Sequence, residues 1–302
     1  MQSEKIFDVI IIGGSYAGLS AAMALGRSLR KVLVMDNGKP CNQQTPYSHN
    51  FLTRDGVKPA ELAAIAKEQV LKYPNVQWLN TTANQAIPTT NGFSILTKDG
   101  QVYQAKKLII ASGVKDIFPS INGFAECWGI SVIHCPYCHG YEVRHQKTGI
   151  IANGEVGFEF AKLIHNWTKD LTLFTNGPAQ MGEQALMKLA NHQIQVVTKE
   201  IEEIVHENGQ LKYLKFKDGS SHELAAVYAR GTMEQNTAIV HELQLGLNEQ
   251  GHIIVDQLKQ TTLKGVYAAG DCTTMMRSVA EAVAAGNMAG VAVNKELIFE
   301  AF

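Results

Sequence analysis

Short apolar runs, separated by glycine-rich turns and by stretches of helical periodicity, organise this chain. Residues 7–12 form a run rich in β-branched residues, which predicts a strand. A helical stretch follows over 19–29, and a second apolar run at 32–35 ends on Asp36. Strand, tight turn, helix, strand and acid in this order predict a βαβ unit of an α/β domain.

A fainter copy of this unit begins near residue 149. A strand at 149–151 leads into Ala152-Asn153-Gly154-Glu155-Val156-Gly157, a helical stretch at 158–164 and a strand at 171–174. This copy lacks the first glycine of the pattern. Thr175-Asn176-Gly177 at its strand end also offers no acid for a ribose and no arginine for a 2′-phosphate. Two interpretations of this second domain remain. It either keeps the fold but has lost nucleotide binding, or it still binds a nucleotide.

Further apolar segments complete two domains. Strands are predicted at 101–105 and 107–110, then at 265–269, and an alanine-rich helix at 278–297. We therefore expect an α/β fold with two Rossmann-like, three-layer ββα dinucleotide-binding domains, the second inserted in the first. The predicted division is 1–116 with 246–302 for the first domain, and 117–245 for the second. A length of 302 residues suits two such domains.

The composition excludes two classes of partner. The formal net charge of −1, from 27 basic and 28 acidic residues, does not favour nucleic acid or an anionic membrane. No apolar run approaches the roughly 18 residues that a membrane span needs. The segment before residue 7 lacks the charged and apolar regions of a signal peptide. We expect a cytoplasmic protein with no nucleic-acid or membrane partner.

The strongest chemical signal is Cys135-Pro136-Tyr137-Cys138-His139, between the two nucleotide-type units. Cysteines three positions apart on a helical turn lie close enough to form a disulfide. Pro136 suits the first turn of a helix, and the helix N-terminus would favour a thiolate on Cys135. The spacing therefore predicts a dithiol that opens and closes.

The full set of cysteines is five, and an odd, scattered set is not a secreted disulfide framework. A zinc site is the alternative for the pair, but a structural zinc needs two further ligands, and only His134 and His139 flank the cysteines. We expect a redox pair and no metal. The other cysteines, Cys41, Cys127 and Cys272, are expected to be small core residues.

These landmarks, in this order, resemble the thioredoxin-reductase family of FAD-dependent disulfide oxidoreductases. The segments that carry the resemblance are 13–18, Ala111-Ser112-Gly113, 135–138 and 265–271, with fainter support from 229–231 and 236–237. The resemblance implies FAD in the first domain, bound along Gly13, Gly14, Ser15, Ala17, Gly18, Asp36, Asn42, Asn50, Ala111, Gly113, Gly270, Asp271, Ser278 and Val279.

The same resemblance implies a function and its partners. In these reductases NADPH reduces FAD, FAD reduces the disulfide, and the dithiol reduces thioredoxin. Transferred to this chain, Cys138 faces the flavin and Cys135 exchanges with the substrate, which is a thioredoxin-like protein or a small dithiol or disulfide. Family members are homodimers. Whether NADPH or NADH serves here depends on the second domain.

Two departures bear on the direction of electron flow. The basic residues that clamp the 2′-phosphate are replaced by Thr175-Asn176-Gly177, and the acid that follows the second cysteine is replaced by His139. Histidine titrates near neutral pH and can accept a thiol proton. Residues 135–142 are similar to the stretch in flavin dithiol oxidases that close disulfides in gliotoxin-type natural products and return electrons to oxygen.

These residues are therefore compatible with four functions. One is an FAD-dependent thiol–disulfide oxidoreductase driven by a nicotinamide. Another is an oxygen-dependent dithiol oxidase, with His139 as a catalytic residue beside Cys135 and Cys138. A third is a flavoprotein redox sensor without turnover, motivated by the missing phosphate clamp, and a fourth is a zinc-binding module.

Overall fold

The computed structural model describes residues 6–302. Its strands are β1 (Ile6–Ile12), β2 (Val32–Asp36), β3 (Val76–Asn80), β4 (Ala83–Thr89), β5 (Gly92–Thr97), β6 (Val102–Ile110), β7 (Val114–Ile117), β8 (Val132–Ile133), β9 (Thr148–Ile151), β10 (Leu171–Phe174), β11 (Gln195–Val197), β12 (Ile201–Glu207), β13 (Gln210–Phe216), β14 (Ser221–Glu223), β15 (Ala226–Ala229), β16 (Thr232–Gln235) and β17 (Val266–Ala268). Its helices are α1 (Tyr16–Arg27), α2 (Pro59–Leu71), α3 (Phe124–Cys127), α4 (Pro136–His139), α5 (Gly154–Ile164), α6 (Glu183–Asn191), α7 (Ile239–Glu242) and α8 (Val279–Ala301), with a 3-10 turn at Asp271–Thr273.

The chain divides into two units. The first comprises the described residues up to Gln43, then Phe51–Lys115 and Met233–Phe302. The second comprises Gln44–Asn50 and Asp116–Thr232. The division expected from sequence assigned residues 44–50 to the first domain and 233–245 to the second. The segments in which the chain passes between the units, β7 and β16, pair as a two-stranded sheet.

The first unit is built on a sheet in the order β3-β2-β1-β6-β5-β4, with β17 paired to β6. The pairs of β1 with β2 and β6, of β2 with β3, and of β17 with β6 are parallel, whereas the β4-β5-β6 edge is antiparallel. The apolar run of β1 is buried because apolar clusters cover both faces of the sheet.

Small residues bring α1 and α8 together on one face of this sheet. A Cβ added at Gly286 would lie 2.1 Å from the Ala17 carbonyl oxygen, and one at Gly290 would lie 2.7 Å from the Ala21 carbonyl oxygen. The Ser20 hydroxyl donates to the carbonyl oxygen of Val283 at 2.7 Å. Glycine and alanine are needed at this crossing because larger side chains would separate the helix backbones.

The second unit repeats the parallel architecture, with strands in the order β11-β10-β9-β15-β8. A smaller antiparallel sheet, β12-β13-β14, belongs to the same unit, and apolar clusters form around Phe174 and around Phe160 with Tyr228. The α/β fold with two Rossmann-like domains, expected from sequence, is confirmed. Over residues 6–302, no helix is both long and apolar enough to cross a membrane.

Candidate functional site

The first glycine-rich turn joins β1 to α1 and accepts only glycine at two positions. Gly13 has φ +102°, and a Cβ there would lie 2.2 Å from the Ala111 carbonyl oxygen. A Cβ at Gly18 would lie 1.9 Å from the Gly13 carbonyl oxygen. The turn thus brings the end of β1 against the residue that follows β6, and Ser15, at the N-cap of α1, leaves the helix N-terminus beside it.

Asp36 closes the other side of this turn at the end of β2. The Gly14 N–H donates to Asp36 Oδ2 at 2.6 Å, and the Gly38 N–H donates to Oδ1 at 2.7 Å. Each carboxylate oxygen can accept more than one hydrogen bond, so the side chain retains capacity for a ribose hydroxyl. A helix N-terminus and a carboxylate at a strand end are the groups that a dinucleotide needs.

The remaining predicted cofactor residues of the first unit lie at the ends of β6 and β17 and at the start of α8. Gly113 and Gly270 have positive φ, of +66° and +86°, and a Cβ at Gly270 would lie 2.9 Å from Ala17 Cβ. Asp271 follows and receives a hydrogen bond from Arg277 Nε at 3.2 Å. These residues meet the first turn through Ala17, so the first unit fits FAD.

Ser278 and Val279 stand at the beginning of α8. The Ser278 hydroxyl accepts a hydrogen bond from the Glu281 N–H at 3.1 Å and so caps the helix, and Val279 is its first residue. Asn42 hydrogen-bonds the hydroxyl of Tyr16 in α1. Asn50 differs from the other predicted residues, because it lies in the segment that belongs to the second unit.

The cysteine pair is a disulfide across a single helical turn. Cys135 and Cys138 are bonded, with their Cα atoms 5.3 Å apart, and Cys135 is the N-cap of α4. The N–H groups of Cys138 and His139 both donate to the Cys135 carbonyl oxygen at 3.2 Å. Both cysteines are half-buried, and Tyr137 between them is 62% exposed. Reagents in solution can therefore reach the segment.

His139, the last residue of α4, lies on the same side of this helical turn as Cys135, because the two are four residues apart. It is half-buried, and burial together with the nearby His49 holds the pKa of its imidazole below the ordinary value, while Glu142 opposes this. The His49 and His139 ring centroids are 6.2 Å apart in an edge-to-face arrangement. His49 Nε2 lies 3.6 Å from Glu142 Oε1.

Sequence reasoning missed His49 and Glu142. His49 is far from the cysteines along the chain, and no spacing connects it to them. Glu142 lies three positions after His139, in the turn that follows α4, so its closeness along the chain could have indicated it. Among residues 6–302, no group of three or more His, Cys, Asp or Glu side chains is arranged to hold a metal ion.

The other cysteines differ in exposure. Cys127 and Cys272 are buried core residues, and burial raises the pKa of the Cys272 thiol to about 12. Such a thiol is unreactive near neutral pH. Cys41, expected in the core, is instead exposed, and its Sγ lies 3.8 Å from Asp271 Oδ2.

The second turn, between β9 and α5, is occupied by the side chain of Asn153. Asn153 Oδ1 accepts from the N–H groups of Gly154 and Gln180, both at 2.8 Å. Asn153 Nδ2 donates to the carbonyl oxygens of Thr175 at 3.1 Å and Pro178 at 3.0 Å. The Asn153 side-chain amide therefore makes its hydrogen bonds to the N-terminus of α5 and to the loop after β10.

That loop is also fixed from its other side. The Thr175 hydroxyl donates to the Gly177 carbonyl oxygen at 2.6 Å, and Asn176 Oδ1 accepts from the Ile201 N–H at 2.7 Å. The loop over 175–182 contains no lysine or arginine. A phosphate would find neither a cation nor the Gly154 N–H available here.

Comparison with known proteins identifies the family. Residues 7–289 match the family described as pyridine nucleotide-disulphide oxidoreductase. The chain belongs to this family. The oxidoreductase is 31% identical to a thioredoxin reductase, tcpT, of Claviceps purpurea over 309 residues, covering 99% of this chain and 96% of that protein. It is an FAD-dependent thiol–disulfide oxidoreductase, as the resemblance implied.

Solved structures agree with this assignment. A putative thioredoxin reductase from Bacillus anthracis is 34% identical with a TM-score of 0.93, covering 98% of this chain and 100% of that one. An oxidoreductase from Agrobacterium tumefaciens is 37% identical with a TM-score of 0.91, covering 97% and 99% of the two chains. The predicted enzyme class and fold are thus confirmed.

Proposed function

We propose that this oxidoreductase oxidises an external dithiol, with electrons entering through Cys135 and Cys138 instead of from NADPH or NADH. The observation that carries this direction is the Asn153 side chain, which occupies the turn where a nicotinamide dinucleotide needs backbone donors. Glu155 in the first turn of α5 adds negative charge, which opposes a phosphate at a helix N-terminus. These residues do not fit a nicotinamide dinucleotide.

The first unit supports the cofactor side of the proposal. FAD would be held by the two glycines that leave no room for a side chain, Gly13 and Gly18, by the Asp36 carboxylate at a ribose, and by Asp271 at the ribityl chain. Gly14, Ser15, Ala17, Asn42, Ala111, Gly113, Gly270, Ser278 and Val279 would line the remainder. The role of Asn50 in this set stays a prediction, since it belongs to the second unit.

The reaction proceeds by thiol–disulfide exchange. One substrate thiolate attacks Cys135 Sγ, which breaks the Cys135–Cys138 bond, forms a mixed disulfide and releases Cys138 as a thiolate. The second substrate thiolate attacks the substrate sulfur of this mixed disulfide, expels Cys135 and leaves as a disulfide. Re-forming the Cys135–Cys138 disulfide from two thiols releases two electrons and two protons. FAD held by the first unit would supply the two-electron carrier, and dioxygen would be the terminal acceptor, reduced to hydrogen peroxide.

His139 moves the protons of the first steps. A substrate thiol must lose its proton before it attacks, and neutral imidazole is a suitable acceptor near neutral pH. The lowered pKa of His139, caused first by burial and then by His49, keeps this imidazole neutral and ready to accept. An acid at the same position would be ionised at neutral pH and would be a much weaker base.

The substrate is a small dithiol or a thioredoxin-like protein. Exposed Tyr137 supports contact with it, since the ring stands beside the cysteines and packs edge-on against Trp167 with centroids 5.5 Å apart. We also propose a homodimer. Support comes from apolar side chains left exposed along α8, namely Met288, Val291, Ile298 and Phe299.

The test is anaerobic titration of the FAD-loaded protein, followed by the visible flavin band. NADPH and NADH are expected to leave the band unchanged, and dithiothreitol is expected to bleach it within the mixing time of the titration. Admission of air should restore the colour with one hydrogen peroxide formed per flavin. Cys135→Ser is the control, because loss of the exchanging thiol should abolish bleaching by dithiothreitol.

The opposite pattern would overturn the proposal. Bleaching by stoichiometric NADPH or NADH, faster than by the dithiol, would make the protein a nicotinamide-driven reductase that tolerates the Asn153 side chain in its second turn. A band that neither nicotinamides nor dithiols bleach would indicate the redox sensor instead.

A further inference from the structure

The segment Gln44–Asn50 belongs to the second unit although the chain on either side of it belongs to the first. It is fixed there by its own contacts. Gln44 Nε2 donates to the carbonyl oxygens of Ala125 and Trp128, both at 3.2 Å. Thr45 packs so closely on Gly129 that a Cβ at that glycine would lie 2.9 Å from Thr45 Oγ1. This anchoring delivers His49 to the cysteine-bearing helix.

His49 is positioned between a base and an anion. Its ring meets the His139 ring edge to face, and its Nε2 lies 3.6 Å from Glu142 Oε1. The His49 side chain is 20% exposed and the Glu142 side chain 40% exposed, so the group is only partly screened by water. At such separations a charge on one imidazole influences ionisation of the other.

We propose that His49, held by the Glu142 carboxylate, is a positioning residue that keeps His139 neutral and correctly oriented to accept the substrate thiol proton. This inference rests on the proposed function, because it concerns the base of that reaction. A positive charge on His49 would lie beside the Glu142 carboxylate and would disfavour a second positive charge on His139. The residue that influences the base and the base itself are thus separate side chains.

Other ionisable groups around the pair are few in the second unit. On the segment of His49, Tyr47 stands 6.4 Å away, centroid to centroid. On α4 the neighbours are Cys135 and Cys138. Behind Glu142 lies the fully buried Tyr228, whose pKa is raised by burial first and by the Glu142 charge second. The charged groups that act on the pKa of His139 are His49, which lowers it, and Glu142, which raises it.

The test uses a readout that does not depend on turnover. The titration of His139 is followed by NMR of ¹³C-labelled histidine side chains in the oxidised protein, with His139→Gln identifying its signal. In His49→Gln, loss of the neighbouring charge should raise the pKa of His139 and move its titration to higher pH by roughly 0.5–1 pH unit. His192→Gln, the same change at an exposed histidine of the second unit, should leave it in place.

His49→Lys separates charge from packing. A lysine restores a cation beside Glu142 without the imidazole ring, so it should return the His139 titration towards the original pH. If His49→Gln leaves the His139 titration where it was, or if His49→Lys behaves like His49→Gln, the inference is wrong.

The proposed function is tested separately by the acid limb of dithiol-dependent flavin bleaching. A base works above its pKa, so the acid limb in His49→Gln should move to higher pH by the same amount as the NMR titration. The His139 titration could move in the NMR experiment while the acid limb of flavin bleaching stays in place. This result would support the effect of His49 on the pKa of His139, but it would contradict the role of His139 as the base.

Discussion

Each unit has a strand–turn–helix element, formed by β1 and α1 in the first unit and by β9 and α5 in the second. The two turns differ in the side chain that accepts a hydrogen bond from the backbone at the start of the helix. In the first, Asp36 at the end of the next strand accepts from the Gly14 N–H, and its carboxylate oxygens can accept further hydrogen bonds. In the second, Asn153 inside the turn binds both the helix and the loop beyond β10.

The difference teaches that a retained strand–turn–helix does not imply retained binding. The parallel sheet and the helix of the second unit need only apolar packing, which both units have. Binding a phosphate needs N–H donors and a favourable charge. In the second turn the Asn153 side chain takes the Gly154 N–H and ties the turn to the loop after β10, which has no lysine or arginine.

Matched alanine substitutions in the two turns should give the largest contrast. Gly13→Ala places a Cβ 2.2 Å from the Ala111 carbonyl oxygen at φ +102°, whereas the nearest atom at Gly154 is 3.6 Å away, with φ +61°. We expect Gly13→Ala to purify without FAD and to unfold at a much lower temperature. Gly154→Ala should keep FAD and lose only about 1–2 kcal/mol, the cost of a left-handed residue. Flavin absorbance per protein and thermal unfolding measure both.

Asp36→Ala tests the acid of the first turn. The change leaves the Gly14 and Gly38 N–H groups without their acceptor and removes the contact to a ribose. Hydrogen bonds to a charged group contribute about 1.5–3 kcal/mol, so the Kd for FAD should rise by about 10- to 100-fold. Fluorescence titration of the FAD-free protein measures this, and an unchanged Kd would show that Asp36 does not bind the cofactor.

Asn153→Ala is the corresponding change in the second turn. It removes four hydrogen bonds and the cap of α5, and we expect a loss of about 1–3 kcal/mol in the free energy of unfolding. FAD content should stay unchanged, because the change lies in the other unit. Denaturant unfolding followed by circular dichroism provides the measurement, and a loss of bound FAD would show that the two turns are not independent.

Lowering the pH should slightly reduce the free energy of unfolding of the second unit, through a histidine packed at the end of β10. His222 packs edge-on against Phe174, the last residue of β10, and burial lowers its pKa. Its neutral form is therefore favoured in the folded state, so its contribution is complete above the unfolded pKa of about 6.5 and is lost as pH falls through the folded pKa.

Because the His222 side chain is only partly buried, the effect should be below about 1 kcal/mol. His222→Phe should flatten the pH dependence of unfolding between pH 7 and 5, whereas His192→Gln should leave it as it is. Equal pH dependence in the wild type and His222→Phe would assign the effect to another group.

Features whose residues are neighbours along the chain could be predicted from the amino-acid sequence. The glycines of the first turn, the acid at the next strand end and the two cysteines on one helical turn follow local geometric rules, so their spacing was sufficient. The two-domain α/β fold followed for the same reason, because each βαβ unit is a local pattern of apolar periodicity.

Only the tertiary structure decided what fills those patterns. Asn153 closes its turn by binding a loop that follows the next strand, and His49 reaches His139 because residues 44–50 belong to the second unit. Cys41 was expected in the core but lies exposed beside Asp271. Contacts between residues far apart in sequence depend on how loops pack, and hydrophobic periodicity carries no information about a single amide or imidazole on a loop.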